Sequence, residues 1–461
     1  MREGVFAIEL RSDARGIPLC GGPSLPIMAA MRSTVYREKA LLVGILLDDD
    51  PADADAPGGA PRRDPLEELE RLALTAGAEI RGRILQRRRR PDPATCVGSG
   101  KVREIAQRAD ALACDLVIFD NELSAGQVRN LEKALARKVI DRTEVILDIF
   151  ATHARSNQAK LQVELAQLEY ALPRLRNLWT HFGQMVAGHG SLMGGIGTRG
   201  PGEQQIELDR RLARRRITDL KREIARIEAR KRREVSARAA NYTVALVGYT
   251  NAGKSTLLNA LTGAGVLVED KLFSTLDTKT RAWTLPSRQK VLLSDTVGFI
   301  RDLPHHLVAS FHATLEEVRE ADLLLHVVDA SHPDAAGQID AVRAVLGALD
   351  CGGKPVIGVL NKADRVGDAL ALRVLERGFP EAVACSARTG EGLDALCAAV
   401  ERAIAGRFVE MALAIPAGDG RTLAALARFG QILERRYDGG TAHVRARVPV
   451  REAGKFEPFR A

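Results

Sequence analysis

The residues best suited to do chemistry in this 461-residue chain form a glycine-rich loop that follows an apolar run. Its spacing matches GxxxxGK[ST], a pattern whose backbone N–H groups surround the phosphates of a nucleoside triphosphate at a helix N-terminus. In such a loop Lys254 would neutralise the β- and γ-phosphates, and Ser255 would ligate Mg2+. The predicted phosphate contacts are Gly248, Tyr249, Thr250, Asn251, Ala252, Gly253, Lys254, Ser255 and Thr256.

A second motif, Asp295-Thr296-Val297-Gly298, closes another apolar run. Its position places the Asp295 carboxylate in the magnesium shell, where it would act through a water molecule. The N–H of Gly298 would meet the γ-phosphate, so this motif is expected to complete the triphosphate site.

Two further motifs identify the base. Asn361-Lys362-Ala363-Asp364 follows a strand-like run, and the Asp364 carboxylate would accept from N1–H and the 2-amino group of guanine, which adenine lacks. Sites built for such hydrogen bonds discriminate sharply against a base that leaves them unpaired. Ser386-Ala387-Arg388 would supply backbone donors for the guanine O6. The four motifs in this order predict GTP and GDP binding.

A threonine between the first two motifs is a candidate switch residue. Thr275 lies in the run Phe273-Ser274-Thr275-Leu276-Asp277, all of which we expect near the nucleotide. Its hydroxyl and backbone would close over Mg2+ and the γ-phosphate only when GTP is bound. A surface or capping threonine remains the alternative.

Phe299 stands where many GTPases carry a glutamine that orients the attacking water. Phenylalanine cannot do this, so hydrolysis should be slow or depend on a group from a partner or a cation. Asn251 could offer an oxygen to a monovalent cation such as K+; a structural role in the loop is equally open. The predicted catalytic residues are Lys254, Thr275, Gly298 and Asn251.

Composition and charge narrow the class of protein. No apolar run approaches the ~20 residues that span a bilayer, and the six cysteines form no CxxC pair. We therefore expect a cytoplasmic protein without a membrane domain, although a membrane-associated fraction is allowed. We also expect a monomer. The net charge of +8 is uneven, because residues 203–240 hold 13 Lys and Arg against seven Asp and Glu. With the cluster Arg81, Arg83 and Arg87 to Arg90, this segment suggests contact with nucleic-acid phosphates or simply a solvated helix face.

The elements that must position these residues follow from the pattern of apolar residues. After a leader (1–36), alternating strands and helices predict a small α/β domain at 37–150. Its predicted elements are strands at Ala40–Leu47, Leu116–Phe119 and Val139–Leu147, and helices at Leu66–Thr75 and Ser124–Arg137. A Pro/Gly insert from Asp48 to Arg62 lies between the strand Ala40–Leu47 and the helix Leu66–Thr75.

Two heptad stripes follow, each spaced 4, 3, 4, 3: one from Leu161 to Leu175 and one from Ala213 to Ile227. They predict an antiparallel helical hairpin over 151–240. Between them, Gly188–Gly202 holds seven glycines in fifteen residues, which suits a close backbone approach to another surface, with Arg199 as a phosphate contact. A flexible linker is the alternative.

The remaining chain predicts a doubly wound, mostly parallel sheet over 241–406, with the ligand at the carboxyl ends of its strands. A short α+β domain follows at 407–461, with a helix at Leu423–Arg435. The predicted strands of the larger domain are Tyr242–Val247, Ala282–Leu285, Val291–Ser294, Leu323–Asp329, Val356–Leu360 and Ala382–Cys385. Its predicted helices are Leu257–Leu261, Leu307–Arg319 and Leu393–Ile404.

Three segments resemble the HflX family of ribosome-associated GTPases: residues 139–175, the run GGIGTRGPGE, and DTVGFIRDLPHHLVASFHATLEEV from Asp295 onward. The resemblance covers about 40–405, with Gln204 and Thr278 as small departures. It implies GTP hydrolysis, docking of the first domain and the hairpin on the large ribosomal subunit and its rRNA, and dissociation of stalled or idle ribosomes under stress. The loop Gly188–Gly202 would then reach towards the peptidyl-transferase region.

Other interpretations remain open. The same motifs fit a nucleotide-gated rRNA-binding, chaperone or ribosome-assembly factor that does not split subunits. They also fit a tRNA-modification or iron-transport GTPase, although neither the cysteine-bearing extension nor the membrane domain of those classes is visible. The family would also allow ATP binding at Gly98-Ser-Gly-Lys101, but this run lacks the leading glycine and the Ser/Thr after lysine, and favours a turn before a helix.

Overall fold

The fold is that of a computed structural model, which describes residues 35–47, 64–174, 201–236, 242–263, 265, 272–273, 278–301 and 312–461. The first domain is a parallel sheet of order β2-β1-β3-β4. Its strands are β1 Lys39–Leu47, β2 Glu79–Arg88, β3 Leu116–Phe119 and β4 Lys138–Asp141. The helices are α1 Glu67–Ala76, α2 Ser99–Ala111, α3 Ala125–Leu135 and α4 Arg142–His153.

Two elements of this domain differ from the prediction. The run Val139–Leu147 is not one strand, because the Asp141 side chain accepts from the Glu144 N–H and caps a helix that starts at Arg142. Strand β2 was not predicted, because it lacks the apolar pattern of a buried strand. It is an edge strand rich in arginine, and Ile84 is its one buried residue. The basic cluster predicted near the N-terminus therefore lies largely on a strand.

The hairpin helices are α5 Asn157–Ala171 and α6 Pro201–Ser236. The predicted seam is buried in both, at Leu161, Leu165 and Leu168 in α5 and at Ala213, Leu220 and Ile224 in α6. Ion pairs flank the seam, Glu164 with Arg216 and Glu169 with Lys221.

The connection between these helices lies mostly outside the described residues, which resume at Pro201. The predicted loop ran to Gly202, but α6 already begins at Pro201, a residue that suits the first turn of a helix. Arg199 and the rest of the glycine-rich run are outside the described residues.

The third domain is a six-stranded sheet of order β10-β9-β8-β5-β7-β6, in which only β6 runs antiparallel to its neighbour. This confirms the doubly wound class. The strands are β5 Tyr242–Gly248, β6 Lys279–Thr284, β7 Lys290–Asp295, β8 Leu323–Asp329, β9 Val356–Asn361 and β10 Ala382–Ala384. The helices are α7 Lys254–Thr262, α8 His312–Glu320, α9 Ala335–Ala348, α10 Ala369–Glu376 and α11 Leu393–Ala405.

The last domain is an antiparallel sheet of order β11-β13-β12. It comprises β11 Phe408–Pro416, α12 Gly420–Phe429, β12 Gln431–Asp438, β13 Thr441–Pro449 and α13 Val450–Ala453. The predicted helix to Arg435 is wrong in its second half. The chain is extended at Gly430 and continues as β12, whose bulge between Ile432 and Glu434 disturbs the alternation that marks a strand.

Candidate functional site

The phosphate loop turns between β5 and α7, and two of its glycines are required by close contacts. At Gly248 (φ +154°) a Cβ atom would lie 2.2 Å from the carbonyl oxygen of Val327 in β8. At Gly253 (φ +93°) it would lie 2.3 Å from the side-chain nitrogen of Asn361. The glycines therefore let the loop sit against strand β8 and against the last residue of β9.

Lys254 is buried at the start of α7, and its Nζ donates to the carbonyl oxygens of Gly248 (3.1 Å) and Tyr249 (2.8 Å). Burial lowers the pKa of this amine to about 8, and the Asp295 carboxylate offsets part of that shift. A bound phosphate would supply the counter-charge, so Lys254 is placed to act as the sequence predicts.

Ser255 and Asp295 form the candidate magnesium position. The Ser255 hydroxyl donates to Asp295 Oδ2 at 2.6 Å, and both side chains are buried. Hydroxyl and carboxylate oxygens are the hard ligands that Mg2+ prefers, with phosphate oxygens and water completing its shell. In the part of the chain that is described, no cluster of three or more His, Cys, Asp or Glu could hold a metal alone. These two residues therefore fit a metal that arrives with the nucleotide.

Gly298 lies directly over the phosphate loop. A Cβ atom at this glycine would be 2.8 Å from Thr250 Cα and 3.1 Å from Lys254 Nζ. The structure thus brings the glycine of the second motif to the lysine of the first, where a γ-phosphate would meet both.

Asn361 connects the phosphate loop to the base-binding loops. Its side-chain nitrogen donates to the carbonyl oxygen of Ala252 at 2.8 Å, and its side-chain oxygen accepts from the Ala387 N–H at 3.0 Å. Lys362 follows in a left-handed conformation, and its Nζ donates to the Asn251 carbonyl oxygen (2.9 Å) and to Asp329 (2.6 Å). The motif therefore also has a structural role.

The predicted base contacts meet at one edge of the sheet. Asp364 is exposed in a 3-10 turn, Ala363–Arg365, after β9. The N–H of Ser386 donates to the Glu391 carbonyl oxygen, and the N–H of Ala387 donates to the side-chain oxygen of Asn361. Two of the three predicted O6 donors, Ser386 and Ala387, thus already carry a hydrogen bond, which a bound guanine would have to share.

Several predicted nucleotide contacts face elsewhere or lie outside the described residues. The Thr296 hydroxyl donates to the Leu246 carbonyl oxygen in β5 at 2.7 Å, and Val297 packs in a hydrophobic core. Phe273 is 3% exposed and meets Phe150 of α4 edge-on, with ring centres 4.7 Å apart. The switch residues Ser274, Thr275, Leu276 and Asp277 lie outside the described residues.

The side chain of Tyr249 points away from Lys254, towards the first domain. Its hydroxyl donates to the Glu68 carboxylate of α1 and accepts from the Arg301 N–H at 2.8 Å. Arg142 completes this cluster through an ion pair with Glu68 at 2.8 Å. Sequence reasoning missed Glu68 and Arg142, since nothing local marks partners 181 residues apart such as Tyr249 and Glu68.

Phe299 is 2% exposed and belongs to a core shared by the first and third domains. Its carbonyl oxygen accepts from Thr250 N–H at 2.7 Å, and its own N–H donates to the Gly248 carbonyl oxygen at 3.1 Å. The residue therefore packs the second motif onto the phosphate loop and presents no polar group to a water molecule.

A bilayer span is not found among the described helices, none of which is both long and apolar enough.

Comparison with known proteins gives matches along most of the chain. Three family models match: GTP-binding GTPase N-terminal at residues 63–151, GTP-binding GTPase Middle Region at 153–238, and 50S ribosome-binding GTPase at 243–362. Curated relatives named GTPase HflX include one from Caldanaerobacter subterraneus, 44% identical over 89% of this chain and 91% of that protein. Another, from Escherichia coli, is 42% identical over 85% of this chain and 92% of its own length.

Among solved structures, a GTP-binding protein from Sulfolobus solfataricus in complex with GDP is 23% identical, with a TM-score of 0.40. The match covers 80% of this chain and 99% of that one. The relatives at over 40% identity, together with the four motifs at the strand ends, make this chain a GTP-binding GTPase.

Proposed function

The chain belongs to the HflX family, and we propose that it uses GTP binding and hydrolysis to control its association with the large ribosomal subunit and to dissociate stalled or idle ribosomes. Mg2+ bound by Ser255 with the Asp295 carboxylate nearby would assist hydrolysis, and K+ at Asn251 is a further candidate. We place the protein in the cytoplasm as a monomer.

The observation that carries this proposal is the exposed basic face of the hairpin. Arg211, Arg214 and Arg215 are exposed in α6, whereas Arg216 beside them is held by Glu164 at 2.6 Å. Exposed cations on one helix attract an RNA backbone by releasing its counterions. The family model named 50S ribosome-binding GTPase matches the adjoining domain, which supports the large subunit as the RNA partner.

Co-sedimentation with purified large subunits tests the association. We expect the protein to pellet with subunits in a non-hydrolysable GTP analogue, less in GDP, and with a steep dependence on salt. Equal pelleting in both nucleotides would contradict nucleotide control. Pelleting that depends on GTP without loss of intact ribosomes would favour the alternative, an rRNA-binding or assembly factor that does not split subunits.

Phosphate release offers a second test of the same proposal. Because Phe299 is packed away and cannot orient water, we expect slow hydrolysis by the protein alone and faster hydrolysis with large subunits. A fast rate that subunits do not change would contradict the proposed partner.

A further inference from the structure

Helix α4 contacts two segments that lie next to predicted nucleotide motifs in the sequence. At its first residue, one Nη of Arg142 donates to the carbonyl oxygen of Arg301, three residues beyond Gly298, at 3.2 Å. Two turns later, Phe150 packs edge-on against Phe273, which lies two residues before Thr275. The contacts are about 12 Å apart along the helix axis. One helix of the first domain therefore touches both segments that we expect to move with the nucleotide.

The contact at Arg142 is a buried polar network. The guanidinium pairs with Asp120 at 2.9 Å and with Glu68 at 2.8 Å. Glu68 also accepts from the Tyr249 hydroxyl, which in turn accepts from the Arg301 N–H. The network thus joins the phosphate loop, the segment after Gly298 and two helices of the first domain.

The charges in this network cannot easily separate. The side chains of Arg142 and Glu68 are 8% and 12% exposed. A buried charge that loses its partner is strongly unfavourable, so the members should move together or exchange partners as a unit. The apolar contact behaves similarly, because Phe150, Phe273, Tyr249 and Phe299 belong to one packed core.

Helix α4 also leads directly into the hairpin. Only residues 154–156 separate it from α5, whose N-terminus is capped by the Ser156 side chain accepting from Ala159 N–H at 3.0 Å. The two helices contact each other, and buried residues of both, among them Ile149 and Val163, belong to the same core. Because the connection is short and the helices are packed together, a displacement of α4 should also displace α5.

We propose that α4 is the coupling element between the nucleotide and the hairpin, with Glu68 as a positioning residue that ties Arg142 to the phosphate loop. This inference rests on the proposed function. Binding of GTP shifts the Phe273 and Arg301 segments, α4 follows both, and α5 changes the presentation of the basic hairpin to its RNA partner. By linkage, the large subunit must then raise GTP affinity relative to GDP by the same factor.

The experiment measures this coupling factor, which is the ratio by which large subunits raise the affinity for GTP relative to GDP. For each full-length protein, affinities for GDP and for a non-hydrolysable GTP analogue are determined with and without large subunits. Glu68→Gln keeps the size of the side chain but removes its charge, and Glu70→Gln is the matched control. Glu70 lies on the same helix and pairs with Arg83 of β2.

We expect Glu68→Gln to lower the coupling factor at least fivefold. Glu70→Gln should keep the wild-type factor. Phe150→Leu, at the other end of α4, should lower the factor as well, which covers the case in which Glu68→Gln folds poorly. If Glu68 had only a structural role, Glu68→Gln would weaken the binding of GDP and of the GTP analogue equally, and the coupling factor would not change.

Hydrogen exchange without subunits gives an independent readout. In the wild type, protection of α5 should differ between GDP and the GTP analogue, and in Glu68→Gln this difference should shrink. Wild-type coupling and exchange differences retained in both Glu68→Gln and Phe150→Leu would overturn the inference alone. A wild-type factor of one would contradict the proposed function itself.

Discussion

Replacement of Asn361 by alanine should weaken both the fold and nucleotide binding, because this side chain holds two parts of the site together. Its amide nitrogen donates to the Ala252 carbonyl oxygen at 2.8 Å, and its oxygen accepts from the Ala387 N–H at 3.0 Å. Asn361 is 2% exposed. The alanine variant leaves a buried acceptor and a buried donor without these partners.

The size of the effect follows from those two groups. An unsatisfied buried polar group costs roughly 1–3 kcal/mol, so the free energy of unfolding should fall by about 2–6 kcal/mol. GDP affinity should fall at least tenfold, about 1.4 kcal/mol, because the phosphate loop is no longer tied to the base-binding loop.

Urea unfolding and GDP titration measure the two quantities, with Asn130→Ala as the control. The Asn130 side chain also donates to a backbone carbonyl oxygen, that of Ala94 at 2.9 Å, but in an exposed setting. That control should lose less than about 1 kcal/mol, because water replaces the partner. Equal losses in the two variants would refute the role assigned to Asn361.

Four further changes test individual parts of the site and the hairpin. Asp364→Asn presents a donor to the guanine donors, so GTP affinity should fall at least tenfold, about 1.4 kcal/mol, and XTP binding should appear; unchanged GTP titration would remove Asp364 from the base site. The Lys254 pKa is lowered from 10.5 to about 8, so between these values the folded protein holds fewer protons than the unfolded chain, and stability without nucleotide should rise with pH. GDP affinity needs the charged amine and should weaken from pH 8 to pH 9, whereas a flat profile would place the pKa elsewhere. Ser255→Ala should raise the Mg2+ concentration needed for half-maximal hydrolysis, and an unchanged requirement would exclude this ligand. Charge reversal at Arg214 and Arg215 should weaken rRNA binding and flatten its salt dependence, while an unchanged slope would make this face a solvated one.

The parts of the site that could be predicted are those encoded by short runs of sequence. The phosphate loop at Gly248–Ser255 and the pair Ser255 and Asp295 follow from spacing and from the order of strand ends, and the structure brings them to one edge of the sheet. The parallel sheet was likewise predictable, because its strands are apolar runs separated by helices.

Elements whose character depends on tertiary partners could not be predicted. The run Val139–Leu147 is apolar at both ends and is buried at every position except Glu144, on both sides of the β4–α4 junction, so its pattern does not separate strand from helix. Edge strand β2 carries charges that pattern analysis assigns to a surface patch.

The contacts between the domains were also beyond the sequence. The sequence shows that Phe299 stands where many GTPases carry a glutamine. It does not show that Phe299 packs in a core shared with the first domain. Tyr249 was predicted to meet phosphates, whereas its hydroxyl meets Glu68, far away in the chain. Such pairs have no local signal, because they exist only once both domains have folded.

The most direct test of the central claim is the sedimentation profile of intact ribosomes incubated with this protein. In the GTP analogue, we expect the peak of intact ribosomes to fall and free subunits to rise, while GDP leaves the profile unchanged. An undiminished peak of intact ribosomes in the GTP analogue, at protein concentrations that saturate large-subunit binding, would contradict ribosome dissociation.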